Sequence, residues 1–421
     1  MSLKKGLWQI STNSPFRFTG LDISAGIPKI VSFEAKTDMT FDDTLARYGL
    51  SKQNLLVWAF IPFREDGFFD EGYDAALTER ELGLAFSELG VDWRWQPVTL
   101  ATMQDAVQRV CDESGDRRPL VMNYCDGDDV NGYPGVSVVH FLTEAGIPYS
   151  GADARFYDIS TSKVRMKHLF REAGVPSPDF RVINDPERDT VDLCERLGTP
   201  LIVKPSVSAG SRGLSSASVI SSNEAAGKLY RRLKQGLHDL DFSCSEVYAE
   251  RYVNGPEYTV LVVGSHLFPE NKRVYPPMER VMNANLPETE RFLSYERYWK
   301  NFSEETPLPP GEKLYVNRLA HPDTWPALQE YAWKAHCAVM GMGYSRVDIR
   351  VDAQSGQINI LEVNANCSLS SPEDDTSVGY ILKESGNTFS NLIGEILADA
   401  LQRHFYFQQH SNPKLSGVLS V

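Results

Sequence analysis

The chain has 421 residues, of which 42% are hydrophobic and 23% charged, and its formal net charge is −14. This length predicts two or three domains, and the composition is ordinary for a soluble globular protein. The acidic charge argues against general nucleic-acid binding, which needs a basic surface, so any site for a polyphosphate must be locally basic.

Cysteine spacing and apolar runs indicate the compartment. The six cysteines are scattered, with no CxxC pair or metal-ligand spacing, which is typical of reduced thiols in the cytosol. The sequence has no run of 18 apolar residues, and Met1–Ile10 lacks the apolar core of a signal peptide. We therefore expect a soluble, cytoplasmic protein with no nucleic-acid or membrane partner.

The first third of the chain has two parts. Residues 1–50 contain aromatic residues interrupted by Gly and Pro, and the sequence leaves open whether they extend the first domain or form an interface. From residue 54, apolar strand-like runs alternate with runs of helical spacing, which predicts a parallel sheet covered by helices. No GxGxxG motif follows the first strand, so a dinucleotide site has no support. We expect strands at Leu55–Ile61, Trp93–Val98, Leu120–Tyr124 and Ile147–Tyr149, and helices at Ala75–Leu89, Met103–Cys111 and Val136–Ala145.

Two lysines stand where an anion is expected. Lys163 lies in the first turn of the predicted helix Thr161–Ala173, where the helix N-terminus and an ammonium group both favour phosphate. A solvated helix lysine is the alternative. Lys204 ends an apolar strand, and a lysine in that position needs an anionic partner because burying it unpaired is costly. The following run SVSAGSRGLSS, which includes Ser211, can approach phosphate oxygens closely and can move as a lid.

A second pair of strands is expected at Glu246–Tyr252 and Tyr258–Val263, around a Gly-Pro turn. Glu250 and Glu257 lie near this turn, and exposed glutamates at strand ends are the alternative to a binding role. Residues 268–311 follow, with little periodicity and many Pro, Glu and aromatic residues.

A hairpin near the C-terminal end carries the densest set of functional side chains. Because strand side chains alternate, one face can gather Arg346 and Asp348 from the first strand with Glu362 and Asn364 from the second. Two carboxylates and an amide oxygen suit a hard cation such as Mg²⁺, and an arginine beside them suits an anion. Taken alone, a surface hairpin with ordinary outward charges fits equally well. The strands are expected at Ser345–Val351 and Gln357–Val363, flanking a Gln-Ser-Gly turn.

The C-terminal region begins with Ser370, Ser371 and an acidic run, Glu373-Asp374-Asp375. Phe389–Phe405 then shows the apolar stripe of a core-packing helix. The tail from Gln408 is expected to be disordered.

Four of these blocks, in this order, resemble ATP-grasp enzymes of the D-alanine–D-alanine ligase branch. The blocks are SKVRMKHLFREAGVPSP, PLIVKPSVSAGSRGLS, VYAERYVNGPEYTVL and the Asp…Glu-x-Asn set of the hairpin. The resemblance covers about residues 115–400 and implies an α/β fold of three domains, with ATP between the last two. The domains are expected at 1–154 (extension plus substrate domain), 155–249 (central) and 250–405 (C-terminal, with the metal site), followed by a tail at 406–421.

The resemblance implies which residues bind ATP. Lys163 and Lys204 match the lysines that contact the α- and β-phosphates, and Ser211 is expected to contact ATP and to take part in catalysis. Glu257 matches the carboxylate that accepts the ribose hydroxyls. The remaining expected contacts are the adenine-binding hinge of Glu250, Arg251, Tyr252 and Val253, and a basic residue for the γ-phosphate, either Arg297 or Lys300.

The resemblance also implies the chemistry. Asp348, Glu362 and Asn364 would hold two Mg²⁺ ions, for which Mn²⁺ could substitute. Arg346 and the backbone N–H of Ser368 would stabilise an oxyanion. The expected reaction joins a small-molecule carboxylate to an amine through an acyl phosphate, with formation of ADP. A kinase on the same scaffold and a non-catalytic ATP-binding protein remain the alternatives, and a homodimer is left open.

Two departures from the family bear on the substrate. The loop PFREDGFFDEGYD replaces the short glycine turn and the substrate-binding glutamate of D-alanine ligases. The acidic run at Glu373-Asp374-Asp375 lies on the acceptor side, where it would repel a carboxylate and favour a cation. We therefore expect amino-acid-like substrates other than D-alanine.

Overall fold

The computed structural model describes residues 40–66, 74–127, 132–208, 210–237, 241–299, 305–374 and 376–410. All of these residues belong to one compact unit. Residues 1–39, most of the predicted substrate loop, Lys300, Asp375 and the tail after His410 lie outside them. The predictions made for those positions are therefore not addressed by the structure.

The apolar runs between residues 55 and 123 form a parallel sheet covered by helices, as predicted. This sheet and its helices are called the first layer. The central strand β1 pairs in parallel with β2 on one side and β3 on the other. Its residues are buried almost throughout, as in parallel strands covered on both faces. The elements are α1 (Phe41–Arg47), β1 (Leu55–Pro62), α2 (Ala75–Leu89), β2 (Asp92–Val98), α3 (Met103–Glu113), β3 (Arg118–Asn123) and α4 (Val136–Glu144).

Two predictions around this layer need correction. The expected strand Ile147–Tyr149 is wrong, because the described chain forms only a single bridge there, between Val121 and Tyr149. The helix expected from Thr161 is divided into α5 (Ala154–Thr161) and α6 (Lys163–Glu172). Ser162 separates them because its backbone is extended and its hydroxyl accepts a hydrogen bond from the N–H of Arg165, which caps α6.

The second sheet is antiparallel, with strand order β4-β7-β5-β6. Its apolar face packs against α9 through Leu229 and Leu233. The elements are β4 (Phe180–Ile183), α7 (Pro186–Asp189), α8 (Leu193–Leu197), β5 (Leu201–Pro205), β6 (Val219–Ile220), α9 (Asn223–Gln235) and β7 (Val247–Arg251). The predicted boundary between residues 249 and 250 falls inside β7, and the division into domains stays a prediction.

The third sheet contains the predicted hairpin as its strands β12 and β13. The strand order is β11-β10-β8-β12-β13, with β9 beside β8. One face packs on α11 (Trp325–Ala338) through Val260, Val347 and Ile349. On the other face, Leu261 and Tyr344 join the core that also includes α13 (Phe389–His410), and the polar side chains of the hairpin lie beside them. The elements are β8 (Glu257–Val263), β9 (Arg273–Val274), β10 (Met278–Met282), α10 (Tyr295–Trp299), β11 (Tyr315–Leu319), α11 (Trp325–Ala338), β12 (Tyr344–Val351) and β13 (Ile358–Ala365).

Two helices, α12 (Ser377–Ser385) and α13 (Phe389–His410), close the described chain. The apolar stripe of α13, which includes Leu392 and Ile396, packs into the core of the first layer, as predicted. The helix continues through His410, whose ring stacks on Tyr406, so the expected start of disorder at Gln408 is wrong. Across the described residues, the structure contains no helix that is long and apolar enough to cross a membrane.

Candidate active site

The polar face of the hairpin gathers the four side chains expected there. The antiparallel register places Arg346 opposite Asn364 and Asp348 opposite Glu362. A register shift after Asp348 lies just beyond the four, so it does not disturb their alternation. Strand periodicity thus brings two carboxylates, an amide and a guanidinium to one place.

Asp348 is held from several directions. Arg346 donates from Nε and Nη2 to its two oxygens at 3.1 and 2.9 Å, a bidentate arrangement. The hydroxyl of Thr259, on the neighbouring strand β8, donates to Oδ1 at 3.0 Å, and Asn364 Nδ2 donates to Oδ2 at 2.9 Å. Burial raises the pKa of Asp348, with the Arg346 guanidinium opposing that effect.

Glu362 faces the N-terminus of α6. Its Oε2 lies 3.1 Å from Nζ of Lys163, the first residue of that helix. Burial acts to raise the pKa of Glu362, but the charges of Lys163, Lys204 and Arg346 outweigh it and hold the pKa at about 2. Glu362 is therefore ionised at neutral pH and can bind a cation.

The donor set fits a magnesium ion that shares its ligands with a substrate. Mg²⁺ is commonly bound by one or two protein carboxylates, with phosphate oxygens and waters completing the octahedron. The described residues contain no group of three or more His, Cys, Asp or Glu side chains that could hold a metal. Asp348 and Glu362 supply two carboxylates, and Asn364 adds an amide oxygen after a flip of its side chain.

Lys204 lies at the end of β5, as predicted, and it belongs to a buried ion cluster. Its Nζ is 2.5 Å from Oε1 of Glu250, while Lys167 pairs with Oε2 of the same carboxylate. Glu250 is 1% exposed, so the alternative of an exposed glutamate at a strand end does not apply to it. β7 lies between β4 and β5 in its sheet, and this position turns the carboxylate inward.

Sequence reasoning missed Lys167. The available signal was its spacing of four residues from Lys163, which puts both lysines on one face of α6. Its pairing with Glu250 comes from an element more than 80 residues away, and such contacts are not encoded in local periodicity.

The loop that contains Ser211 begins beside Lys163. The Nζ of Lys163 donates to the carbonyl of Ser208 at 2.6 Å, and the hydroxyls of Ser162 and Ser206 lie 3.0 Å apart. Ser211 has a left-handed backbone, with φ of 59°. The start of the small-residue loop is thus attached to the end of α6 that faces Glu362.

The predicted adenine hinge is largely engaged within the protein. The backbone N–H groups of Arg251 and Tyr252 donate to the carbonyls of Asp179 and Pro200, both at 3.0 Å. The carbonyl of Val253 accepts from Arg350 at 3.0 Å. These three backbone groups are therefore not available to adenine in this structure.

The side chains of the hinge are also engaged. Arg251 forms an ion pair with Asp352 at 2.9 Å, and the Tyr252 hydroxyl donates to the carbonyl of Glu288 at 2.8 Å. Both contacts link the end of β7 to segments that follow strands of the third sheet, since Asp352 comes after β12 and Glu288 after β10. We interpret these side chains as structural links in this conformation.

Glu257 lies in a second ion cluster and is not a free carboxylate. One oxygen pairs with Arg280, and the other accepts from Arg350 Nη2 at 2.9 Å. Burial acts to raise the pKa of Glu257, but the two arginines outweigh it and keep the pKa below its usual range. Both oxygens of Glu257 thus accept from arginines in this structure, and its contact with the ribose hydroxyls stays a prediction.

Arg297 belongs to a buried ion cluster. Its guanidinium is buried and pairs with Glu290 at 2.7 Å and with Glu305 at 3.0 Å. These two carboxylates neutralise it, so we leave Arg297 out of the site proposed below. Lys300, the other candidate, lies outside the described residues.

Ser368 follows the end of β13 and is exposed. The left-handed residue of this turn is Asn366, with φ of 47°, and Asn tolerates that conformation well. In this turn the left-handed conformation is thus adopted by Asn366 and not by Ser368. Cys367 between them is buried close to Arg346, and burial raises the pKa of its thiol to about 12.

The acidic run packs towards α2 of the first layer. Ser371 hydrogen-bonds to the carboxylate of Glu81, whose pKa is raised by burial and by the negative charges of Asp374 and Glu373. Three carboxylates from two elements therefore lie close together, a few residues beyond the hairpin.

Comparisons with known proteins identify a family and similar folds. The family model described as D-ala D-ala ligase C-terminus matches residues 169–398. A D-alanine–D-alanine ligase from Alcanivorax borkumensis is 32% identical over 262 residues, covering 62% of this chain and 72% of that protein. One from Ectopseudomonas mendocina is 28% identical over 298 residues, covering 71% and 82%. The crystal structure of D-alanine–D-alanine ligase from Bacillus anthracis complexed with ATP has a similar fold, with a TM-score of 0.55 at 19% identity, covering 83% of this chain and 99% of that one.

Proposed function

Because the chain belongs to the D-alanine–D-alanine ligase family of ATP-grasp proteins, we propose that it joins a carboxylate to an amine through an acyl phosphate. The predicted family, the mixed α/β ATP-grasp fold and the class of ATP-dependent carbon–nitrogen ligase follow from this membership. The observation that carries the proposal is the cluster of Asp348, Glu362 and Asn364, flanked by Arg346 and Lys163.

The proposed mechanism starts by converting a poor electrophile into a good one. An oxygen of the substrate carboxylate attacks the γ-phosphorus of ATP, the bond to the bridging oxygen breaks, and ADP leaves. The amine then attacks the acyl carbon, loses a proton and expels phosphate through a tetrahedral oxyanion. The amide forms because phosphate is a better leaving group than the oxide ion that a free carboxylate would have to expel.

The chain's own residues would position the reactants. Lys163 and Lys204 place two ammonium groups beside Glu362, where phosphate oxygens can bind. Asp348, Glu362 and Asn364 would hold Mg²⁺, which acts as a Lewis acid that neutralises phosphate charge. Arg346 is oriented by its two hydrogen bonds to Asp348, so its guanidinium is preorganised for the oxyanion. Two magnesium ions and the N–H of Ser368 remain part of the proposal.

We expect ATP to be converted to ADP and phosphate, and not to AMP. The lysines lie beside the carboxylates that would hold Mg²⁺, and together these cations would neutralise the terminal phosphates, which favours transfer of the γ-phosphoryl group. Incubation with a carboxylate substrate and hydroxylamine should trap a hydroxamate, which can be measured colorimetrically alongside nucleotide products. Release of AMP and pyrophosphate would show an adenylating enzyme and contradict the mechanism.

The same product analysis separates the alternatives. A ligase releases free phosphate when both acid and amine are present, whereas a kinase retains the phosphate on its product. A protein that only binds ATP forms no ADP with any substrate pair. The paired carboxylates Asp348 and Glu362 favour catalysis, because a binding protein has no need to keep them.

The identity of the acceptor is the finer part of the proposal. The named relatives are D-alanine–D-alanine ligases, so D-alanine is the first candidate and its exclusion has no support from them. The carboxylates of Glu81, Glu373 and Asp374 favour instead an acceptor that carries a positive charge. We propose such an acceptor as the second candidate.

An assay of acceptors should decide between them. If the acidic cluster faces the acceptor, ADP release with basic amino acids or diamines should exceed release with D-alanine alone by about fivefold or more, since one repulsive pair at 4 Å costs roughly 1 kcal/mol. The double variant Glu373→Gln, Asp374→Asn should then lose this preference. Robust turnover with D-alanine as donor and acceptor, unaffected by the double variant, would assign D-alanine.

A further inference from the structure

Lys167 is a buried cation next to the proposed phosphate site. It lies on α6, one turn beyond Lys163, and none of its side chain is exposed to solvent. Its Nζ pairs with Oε2 of Glu250 and lies 5.8 Å from the centre of the Phe180 ring. Burying an ammonium group is costly even when it is paired, so its retention here calls for a physical explanation.

The burial of Lys167 can be explained because Glu250 pairs with two lysines at once. Its other oxygen, Oε1, pairs with Lys204 at 2.5 Å, so one carboxylate faces two ammonium groups. A simple pair of Glu250 and Lys204 would be neutral, whereas the three groups together carry a net charge of +1. Lys204 is the member with some solvent exposure, and so it is the one that a ligand can reach.

The charges of this cluster also act on Glu362 of the hairpin. The charge of Lys204 acts on Glu362, and that of Glu362 acts on Lys167. Three lysines and two glutamates from α6, β5, β7 and β13 therefore form one cluster with an excess positive charge. In a chain whose overall charge is −14, such a local excess is what a polyphosphate needs.

We propose that Lys167 is a positioning residue for ATP: it occupies one oxygen of Glu250, so that Lys204 is held in place without being fully neutralised. Lys167 itself does not touch the nucleotide and acts through Glu250. This inference rests on the proposed function, because it assumes that Lys204 contacts the phosphates.

Substitutions that change the net charge of Lys167, Glu250 and Lys204 test the proposal directly. Lys167→Met keeps a long apolar side chain but leaves Glu250 and Lys204 as a neutral pair, so the dissociation constant for MgATP should rise about tenfold, as expected for the loss of one favourable charge interaction. The double variant Lys167→Met, Glu250→Gln restores the net charge of +1. Its dissociation constant, measured by isothermal titration calorimetry, should return to within about threefold of the original value.

A purely structural role for Lys167 predicts the opposite order. The double variant would then bind MgATP as weakly as Lys167→Met or more weakly, because it lacks both partners of the pair. Such a result, or unchanged affinity in Lys167→Met, would overturn the inference. If Lys167→Met does not fold, the folded double variant decides, since a dissociation constant more than about tenfold above the original contradicts the proposal.

Arg165→Met is the matched control. Arg165 lies on the same helix, but it is exposed and pairs with Asp158, outside the cluster. Removing its charge should leave the affinity for MgATP unchanged, and an equal loss in this variant would mean that any cation on α6 suffices. Failure of the unaltered protein to bind MgATP would instead contradict the proposed function itself, so the two failures are distinguishable.

Discussion

Replacing either Asp348 or Glu362 with alanine is expected to lower the rate of ADP formation by about 10²-fold or more while the protein stays folded. Each substitution removes one of the two carboxylates that the described hairpin offers to a cation. Asp348→Ala also releases Arg346, whose two hydrogen bonds to that carboxylate fix its direction. The rates should be measured with a coupled ADP assay at saturating ATP and varied Mg²⁺ concentration.

A carboxylate on the opposite face of the same sheet provides the control. Glu279 on β10 pairs with Arg318 at 2.9 Å. The strand register places its side chain on the face of the sheet opposite to that of Asp348. Glu279→Gln should therefore leave ADP formation near its original rate. Near-normal turnover in folded Asp348→Ala or Glu362→Ala would show that the hairpin does not hold the catalytic metal.

Arg346→Met is expected to lower kcat by about 10²- to 10³-fold, which is the effect of removing one donor to a developing oxyanion. Arg346→Lys should recover little of this loss, because a single ammonium cannot reproduce the bidentate contact with Asp348. The affinity for MgATP should change by less than about tenfold, since Lys163 and Lys204, the proposed phosphate contacts, are unaltered. Steady-state kinetics and calorimetry together measure the two quantities.

Arg318→Met is the control, because it removes a different arginine from the same sheet. Arg318 is exposed and pairs with Glu279 on the face away from the hairpin site. Its removal should leave kcat and affinity unchanged. If Arg346→Met weakens MgATP binding as strongly as it lowers kcat, Arg346 acts in ground-state binding and not at the oxyanion.

The local elements were predictable because their signals are short in range. A continuous apolar run gave β1, alternation of apolar and polar residues gave the hairpin strands, and spacing of 3.6 residues gave α2. The same alternation placed Arg346 and Asp348 on one face. Because an antiparallel register pairs opposite residues, Glu362 and Asn364 then had to meet them.

The sequence did not show which side chains pair with each other when the partners lie far apart along the chain. Arg251 pairs with Asp352, which is 101 residues away, and Glu257 accepts from Arg350, which is 93 residues away. A sequence shows that these residues are charged but not which opposite charge lies nearby. The nucleotide contacts expected for the backbone at Arg251 and for the Glu257 carboxylate stay predictions, whereas the ion pairs of both side chains became visible only in the structure.

The sequence by itself determined the strands of the parallel sheet, helix α2 and the hairpin cluster of Asp348 and Glu362, because backbone periodicity and short turns fix those positions locally. Only the tertiary structure decided that Glu250 turns inward between Lys167 and Lys204. The reason is that burial of charge is a collective property of three packed elements. A buried carboxylate is tolerated only where the fold supplies cations around it, and that supply depends on how α6, β5 and β7 pack together.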